Sequence, residues 1–191
     1  MRILGIHGAW SSSISFNYLK SKTKAKNWSL IDYDHRVDDW NSIMAKTIGH
    51  MREPYIAIGH SLGGMVALHM SQDTLCKGII TLASPLAGLD LNLIQTYLSR
   101  STLIGCIAST SKQIKEIHAL NYGHVPVLHL IATKGYNPFI YENSDGVLPV
   151  KVQTGWSCGD MVEIAANHYE ILQSNDTLAA IKDFISKCSE R

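Results

Sequence analysis

A serine between small residues is the first feature of this sequence that could do chemistry. Ser61 stands in the hexapeptide GHSLGG at residues 59–64, after an apolar run at 55–58 and before an apolar-periodic segment that starts at Met65. A serine on a tight strand-to-helix turn exposes its Oγ, and glycine neighbours let other backbone segments pass close to it. The pattern therefore predicts a serine nucleophile.

Ser61 needs two partners, because a serine hydroxyl is a weak nucleophile until a base takes its proton and a third group orients that base. Among nine histidines, His168 follows the last predicted strand and precedes the terminal helix. Asp145 lies in a turn-rich loop, SDGVLP, after the preceding strand. The order Ser61, Asp145, His168 is one of the known chain orders of serine triads. The other acids considered for the third role are Asp90 and Asp160.

The elements that must position these residues form a repeating pattern. Short apolar runs alternate with longer helical patterns, which is typical of a parallel sheet with helices on both faces. The predicted strands are 2–6, 29–33, 55–58, 78–83, 125–132 and 161–165. The predicted helices are 37–51, 62–72 and 169–186. The pattern predicts an α/β fold with one doubly wound, mostly parallel sheet of about six strands, in which ligands bind at the carboxyl ends of the strands.

One segment departs from this pattern. Residues 85–124 fill the space between two predicted strands, where a plain crossover needs only about a dozen residues. Helical patterns at 91–98 and 112–120 flank an apolar stretch at 103–108. We expect a single domain over 1–191 in which 85–124 forms a lid or cap over the site. Simple extra packing is the alternative.

Composition excludes several classes of partner. The chain has 17 basic and 16 acidic residues and a net charge of +1, so it has no global field to hold a nucleic acid. A run of four lysines between residues 20 and 26 is expected to be a solvated surface. The longest apolar runs fall short of the roughly 18 residues that span a bilayer. The apolar stretch at residues 1–6 is too short for the hydrophobic region of a signal peptide. We therefore expect the mature chain to begin at residue 1 and to act in the cytoplasm.

Metal and disulfide sites are not indicated either. The four cysteines are scattered and form no CxxC pair, which favours reduced thiols over a zinc site or a disulfide framework. A cluster of aspartates and one histidine at 32–39 has ligand types that suit a divalent cation. Helix capping and solvated charge explain this cluster as well. We expect neither a metal nor a cofactor.

Four motifs in this chain resemble those of the α/β-hydrolase superfamily, in particular its small lipases and esterases. HGAW at 7–10 resembles the HG oxyanion loop, and GHSLGG resembles the lipase nucleophile elbow. TLASPLAG at 81–88 is similar to a stretch of triacylglycerol lipases, and SDGVLP at 144–149 is similar to their acid loop. The resemblance covers nearly the whole chain. The HG pair is followed here by Ala-Trp instead of a run of glycines, which leaves the substrate class open.

The resemblance implies a role for each motif. Ser61 is the implied nucleophile, His168 the base and Asp145 the orienting acid. The backbone N–H groups of Ala9 and Leu62 are the implied oxyanion hole, which stabilises negative charge in the transition state. His7 is expected to hold the oxyanion loop by hydrogen bonding. The candidate residues of the substrate pocket are Trp10, Leu86 and Val147.

These inferences predict a cofactor-independent serine hydrolase that cleaves carboxylic esters through an acyl-enzyme. Its expected partner is a small ester or lipid-like molecule. An acyl thioesterase or acyltransferase that uses the same triad remains an alternative, because the attack chemistry is shared. A binding module that has the hydrolase fold without its activity is a third possibility. The sequence leaves the oligomeric state open.

Overall fold

The computed structural model describes residues 1–23, 27–34, 37–49, 51–90 and 105–190. These residues form one six-stranded sheet in the order β2-β1-β3-β4-β5-β6, in which every neighbouring pair is parallel. The strands are β1 (Arg2–Ile6), β2 (Trp28–Ile31), β3 (Tyr55–His60), β4 (Cys76–Leu82), β5 (Val127–Ala132) and β6 (Asp160–Ile164). Parallel neighbours need crossover connections, and helices supply them.

The helices of the described residues lie on both faces of the sheet. They are α1 (Asn17–Lys22), α2 (Trp40–Gly49), α3 (Leu62–His69), α4 (Lys112–Ala119), α5 (Val150–Thr154) and α6 (Asn175–Ser189). Short 3-10 turns cover Ser13–Phe16, Met70–Gln72 and Glu170–Leu172. Buried residues of α2 to α5 join one hydrophobic core, and those of α1 and α6 join the other. The predicted doubly wound α/β fold is therefore confirmed.

All six predicted strands are confirmed, with ends displaced by two residues at most. The helix ends differ more, because side-chain caps set them. The Oδ1 atom of Asp39 accepts a hydrogen bond from the Ser42 N–H at 2.7 Å, so α2 begins at Trp40 instead of residue 37. Ser174 Oγ caps α6 in the same way, at 3.2 and 3.4 Å. The predicted helix 169–186 therefore divides into a 3-10 turn and α6.

Alternation along the strands explains why two cores form. Successive side chains of a strand point to opposite faces of the sheet. Ile56 and Ile58 of β3 pack in the core that α6 covers, whereas Tyr55 and Ala57 pack in the core that α3 covers. Both faces of this central strand are buried, and its sequence is accordingly apolar throughout.

The aspartate cluster at 32–39 makes ordinary local contacts where the structure describes it. Asp32 accepts hydrogen bonds from Ser13, Asp38 pairs with Lys46 at 2.7 Å, and Asp39 caps α2. Within the described ranges, no three His, Cys, Asp or Glu side chains are grouped as a metal site. Among the same residues, no helix is long and apolar enough to cross a bilayer.

Two buried histidines are held neutral by the fold. His129 of β5 is fully buried, and its Nδ1 lies 2.8 Å from Thr81 Oγ1. Burial lowers the pKa of His129 to about 4. Burial, with a smaller effect of nearby His168, lowers the pKa of His60 to about 3. In the folded chain both side chains therefore remain uncharged well below the ordinary histidine pKa.

We expect the free energy of unfolding to fall as pH decreases from 7 to 5. The unfolded chain protonates these histidines near pH 6.5, whereas the folded chain does so only near their lowered pKa values. Their contribution to stability is thus complete above 6.5 and is lost as pH falls toward 4. Each such group contributes a slope of about 1.4 kcal/mol per pH unit in that window.

Urea unfolding of wild type and His129→Gln at pH 7, 6 and 5 measures this slope. Glutamine can keep a hydrogen bond to Thr81 but does not titrate. The decline should be shallower in His129→Gln by about 1.4 kcal/mol per pH unit. Equal slopes in the two proteins would contradict a neutral, buried His129.

Candidate active site

Ser61 occupies the sharp turn between β3 and α3. Its backbone has φ 52° and ψ −122°, a conformation that a non-glycine residue rarely adopts. Hydrogen bonds hold the turn on both sides: the Ser61 N–H donates to the Leu82 carbonyl at 2.8 Å, and the Gly64 N–H donates to the Ser61 carbonyl at 3.0 Å. The turn therefore has the strained geometry of a nucleophile elbow.

The glycines around Ser61 lie where other backbone segments approach closely. A Cβ on Gly59 would overlap the carbonyl group of Gly63, and one on Gly63 would overlap the carbonyl oxygen of Ile6. A Cβ on Gly64 would overlap the Oγ of Ser84. The elbow is thus packed between the end of β1 and the 81–88 stretch. These close contacts are possible only because residues 59, 63 and 64 are glycines.

Asp145 and His168 are hydrogen-bonded to each other. The His168 Nδ1 lies 2.6 Å from the Asp145 Oδ2, and the His168 N–H donates to the Asp145 carbonyl at 2.9 Å. Both side chains are almost wholly buried. The carboxylate accepts a hydrogen bond, so we assign the ring proton to Nδ1. The Nε2 atom then carries the lone pair that a general base needs.

The Asp145 carboxylate is itself fixed by three donors. Its Oδ1 accepts hydrogen bonds from the N–H groups of Val147 at 2.8 Å and Leu148 at 2.6 Å. Its Oδ2 accepts one from Gln153 Nε2 at 3.0 Å. Bonds to an ionised acceptor are stronger than neutral ones. The orientation of the carboxylate toward His168 is therefore set by its own loop and by α5.

Gln153 is a site residue that the sequence analysis missed. Besides its bond to Asp145, its Nε2 donates to the Ala132 carbonyl at 3.0 Å, and its Oε1 accepts from the Ala132 N–H at 3.0 Å. The side chain is fully buried. It ties the acid to the end of β5. In the sequence, Gln153 follows Val150 and Val152 in a short segment. Nothing in that segment distinguishes it from a surface glutamine.

Gln153→Leu is expected to lower kcat about tenfold and to destabilise the fold by about 2 to 6 kcal/mol. Leucine has a similar size, but it leaves the buried Ala132 N–H and carbonyl unpaired, at about 1 to 3 kcal/mol for each group, and it removes one donor from Asp145. Ester hydrolysis and urea unfolding measure the two effects. Gln173→Leu, at an exposed position, is the matched control. Wild-type values for both quantities in Gln153→Leu would contradict the assigned contacts.

One cavity contains both Ser61 and His168 in its wall and has a volume of about 40 Å³. Ala9 and Leu62, whose N–H groups are the predicted oxyanion donors, line it as well. The end of β1 lies against the serine: a Cβ on Gly8 would come within 3.0 Å of the Ser61 Cβ. Four of the five predicted triad and oxyanion residues thus line one cavity, and the fifth, Asp145, is hydrogen-bonded to His168.

The predicted pocket residues do not all reach this cavity. Trp10 and Val147 line it, and Trp10 also has a positive φ of 53°. Leu86 is not among its lining residues, because its side chain is fully buried in the core beneath. The other apolar walls come from Pro85, Leu89, Ile107 and Leu148.

The base of the 85–124 segment adjoins the cavity. Backbone bonds join its two arms, from the Leu89 N–H to the Ile107 carbonyl at 2.8 Å and from the Ser109 N–H to the Leu89 carbonyl at 2.7 Å. The predicted helix 112–120 is α4, ending at Ala119. The predicted helix 91–98 and the start of the apolar stretch 103–108 lie outside the described residues. The lid stays a prediction.

Two further histidines fix the loops around Ser61. His7 has one ring nitrogen, Nδ1, 2.7 Å from the Gly8 carbonyl, and its Nε2 accepts from the Tyr33 N–H at 3.3 Å. Burial lowers the pKa of His7, which favours the neutral ring, and the carbonyl contact of Nδ1 assigns the single proton to that nitrogen. Because Nε2 accepts a hydrogen bond and carries no proton, it does not form an ion pair with the Asp32 oxygen that lies 3.7 Å away. This arrangement agrees with the predicted structural role of His7.

His60 supports the other side of the site. Its side chain is buried, and its Nε2 donates to the carbonyl of His168 at 2.8 Å. In the sequence, His60 is the second residue of GHSLGG, and no local pattern indicates a role for it. The partner is 108 residues away along the chain, so only the folded structure shows this contact.

Of the three acids considered, Asp145 is the one hydrogen-bonded to His168. Asp160 is the first residue of β6 and lies at the opposite end of that strand from the His168 loop. Asp90 is exposed at the edge of the described 85–124 segment. The arrangement therefore provides a strained serine, an imidazole and a carboxylate that orients it, which together can perform nucleophilic attack on an acyl carbon.

Comparisons by sequence find no matching family model and no matching curated protein. Comparison of structures finds clear similarity. A lipase from Bacillus licheniformis in its mature form matches with a TM-score of 0.74 and 14% identity, over 96% of this chain and 91% of that chain. A pyrethroid hydrolase from Sphingobium faniae JZ-2 matches with a TM-score of 0.64 and 15% identity, over 100% of this chain and 99% of that chain.

A third similar structure is tomato methylketone synthase I in complex with β-ketoheptanoate. It matches with a TM-score of 0.67 and 10% identity, over 98% of each chain. At such low identities the likeness concerns the fold. One fold hosts many reactions, so activity must be argued from the residues of the site.

Proposed function

Proceeding from the α/β-hydrolase fold that this chain has, we propose that it is a serine esterase. Ser61, His168 and Asp145 form the catalytic triad, and the N–H groups of Ala9 and Leu62 form the oxyanion hole. The substrate is a small carboxylic ester, and the reaction passes through an acyl-enzyme. No cofactor takes part in the proposed reaction.

This proposal rests on one observation: three features occur together at one cavity. Ser61 has a strained φ of 52°, His168 lines the same cavity, and the Nδ1 of His168 lies 2.6 Å from Asp145. Strained backbone of this kind is costly and is retained chiefly at functional sites. A non-catalytic module would need neither the strain nor the buried aspartate and histidine pair.

In the proposed acylation step, Ser61 Oγ attacks the ester carbonyl while its proton moves to Nε2 of His168. Asp145 holds the ring so that Nε2 is the free nitrogen, and it stabilises the imidazolium that forms. Negative charge on the carbonyl oxygen is met by the two backbone donors. Because these donors are fixed before reaction, they need no reorganisation as the charge develops.

Deacylation repeats the same chemistry with water. His168 takes a proton from water, the hydroxide equivalent attacks the acyl carbon, and Ser61 leaves with the proton from His168. The cavity around Ser61 has a volume of about 40 Å³, whereas pockets for drug-sized ligands span about 300 to 1,000 Å³. A short acyl group, such as acetyl, therefore suits it best.

A substrate panel tests the proposed function. Wild type is expected to hydrolyse p-nitrophenyl acetate, to prefer it to the octanoate ester, and to prefer esters to the matching acyl thioesters. Ser61→Ala should reduce hydrolysis to the background rate, whereas Ser157→Ala, at an exposed position, should not. A preference for thioesters would favour the thioesterase alternative. Activity retained in Ser61→Ala would contradict the mechanism.

A further inference from the structure

A second pocket adjoins the Ser61 cavity. Val147, His168 and Tyr169 line both, so the two spaces are adjacent beside the proposed base. The second pocket has a volume of about 480 Å³. The rest of its wall comes from residues 134–136, the acid loop and the segment that leads to His168.

One side of this pocket carries Tyr136, on a loop that is hydrogen-bonded to the acid loop. The Gly135 N–H donates to the Ser144 carbonyl at 2.9 Å, and Asn137 Nδ2 donates to the Gly146 carbonyl at 3.0 Å. A Cβ on Gly135 would overlap the carbonyl group of Asp145. The loop is therefore fastened to the acid loop on both sides of Tyr136, yet the tyrosine is 87% exposed.

Tyr169 supplies a second aromatic ring. It meets the ring of His168 edge to face, with centroids 5.2 Å apart and an interplanar angle of 88°. The residue is nevertheless 54% exposed. Its backbone is held by Asn167, whose Oδ1 accepts from the Tyr169 N–H at 3.0 Å. Two positioned tyrosines thus line a pocket while leaving much of their surface in water.

The chemistry of the proposed reaction identifies which part of an ester would lie here. During acylation, the bond between Ser61 Oγ and the acyl carbon forms, and the bond from that carbon to the alcohol oxygen breaks. The proton that left Ser61 passes from His168 to the departing oxygen. The alcohol must therefore leave beside His168. The cavity of about 40 Å³ has no room for both halves of a larger ester.

We propose that the second pocket is the alcohol subsite and that it selects esters of aromatic alcohols. This inference rests on the proposed function. Tyr136 and Tyr169 offer ring surfaces against which an aromatic group can pack, and Lys134 at the pocket edge can place its cation over such a ring. Glu170 also lines the pocket and balances the charge of Lys134, so the rim does not select a charged alcohol.

Three acetate esters test the proposal by their kcat/KM values: benzyl acetate, cyclohexylmethyl acetate and ethyl acetate. All three form the same acetyl-enzyme, so deacylation is common to them, and kcat/KM reports only the steps in which the alcohol is present. The first two have alcohols of similar size and differ in aromaticity. Wild type should prefer benzyl acetate to cyclohexylmethyl acetate by about threefold or more.

Substitutions in the loop that carries Tyr136 then show whether this residue causes the preference for benzyl acetate. Tyr136→Ala should lower kcat/KM for benzyl acetate about three- to tenfold and change that for ethyl acetate less than twofold, while Tyr136→Phe should keep the preference. Tyr141→Ala is the matched control, because Tyr141 is 97% exposed on the same loop and does not line the pocket. Tyr141→Ala should leave kcat/KM unchanged for both substrates.

Two results would overturn the subsite. One is an equal loss for all three esters in Tyr136→Ala, and the other is no loss for benzyl acetate. In either case Ser61-dependent hydrolysis by wild type would leave the proposed function intact. Hydrolysis that persists in Ser61→Ala would instead overturn the proposed function and the subsite with it.

Discussion

Asp145→Asn is expected to lower kcat for ester hydrolysis about 10⁴-fold with little change in KM. The carboxylate accepts the Nδ1 proton of His168 at 2.6 Å. An amide can present its NH₂ group to Nδ1 instead, which moves the ring proton to Nε2. The nitrogen that should accept the proton of Ser61 is then already protonated.

The same substitution should leave the fold largely intact. The asparagine Oδ1 can still accept the N–H groups of Val147 and Leu148, which donate to the Asp145 Oδ1 at 2.8 and 2.6 Å. The NH₂ group that replaces Oδ2 loses the hydrogen bond from Gln153 Nε2, but Gln153 keeps its bonds to Ala132. The loss of activity would therefore report chemistry and not unfolding.

Steady-state kinetics with p-nitrophenyl acetate, together with thermal unfolding, measure both parts of this prediction. Asp160→Asn makes the same change in an exposed acid at the far end of β6 and should keep wild-type kcat. If Asp145→Asn retained more than about a tenth of wild-type kcat, Asp145 would not be the orienting acid.

Gly63→Ala is expected to destabilise the fold by about 3 kcal/mol, the upper end of what overpacking usually costs. The added Cβ would overlap the carbonyl oxygen of Ile6 and meet that of His7. Both are backbone atoms at the end of a central strand, so they cannot move aside as a flexible side chain would. Alanine favours a helix over glycine by about 1 kcal/mol, and the overlap must outweigh that gain.

The same variant should also lose activity, because the backbone that must shift leads directly to Gly8 and Ala9. Urea unfolding and ester hydrolysis measure the two effects. Gly49→Ala is the matched control: it is also a helical glycine, but a Cβ there would meet nothing within 4 Å. Its stability should stay the same or rise by up to about 1 kcal/mol. Wild-type stability in Gly63→Ala would contradict the close packing of the elbow.

Local patterns in the sequence were enough to predict the framework. The inner strands β1, β3, β4 and β5 are short apolar runs because they are buried on both faces, so the runs mark them directly. The edge strands β2 and β6 are partly exposed and contain polar residues, but apolar residues still make up most of each short run. The elbow is equally local, since its strand, serine and glycines are adjacent in the chain. Helix ends were predicted less well, because single side chains such as Asp39 and Ser174 set them.

Contacts between distant residues could not be predicted in this way. Asp145 and His168 were predicted because their order after Ser61 along the chain is a known order of serine triads. Gln153 and His60 contact the same pair, but their polar side chains have no distinctive spacing. Leu86, in the TLASPLAG stretch that resembles triacylglycerol lipases, was expected in the pocket, yet its side chain turns into the core. Side-chain direction depends on packing that a linear pattern does not contain.

The central claim is that Ser61 is a nucleophile activated by His168. A fluorophosphonate probe phosphonylates such a serine, and intact mass with peptide mapping locates the adduct. We predict one adduct per chain, on Ser61, absent in Ser61→Ala and formed far more slowly in His168→Ala. An adduct on another residue, or no adduct on the folded wild-type chain, would contradict the account.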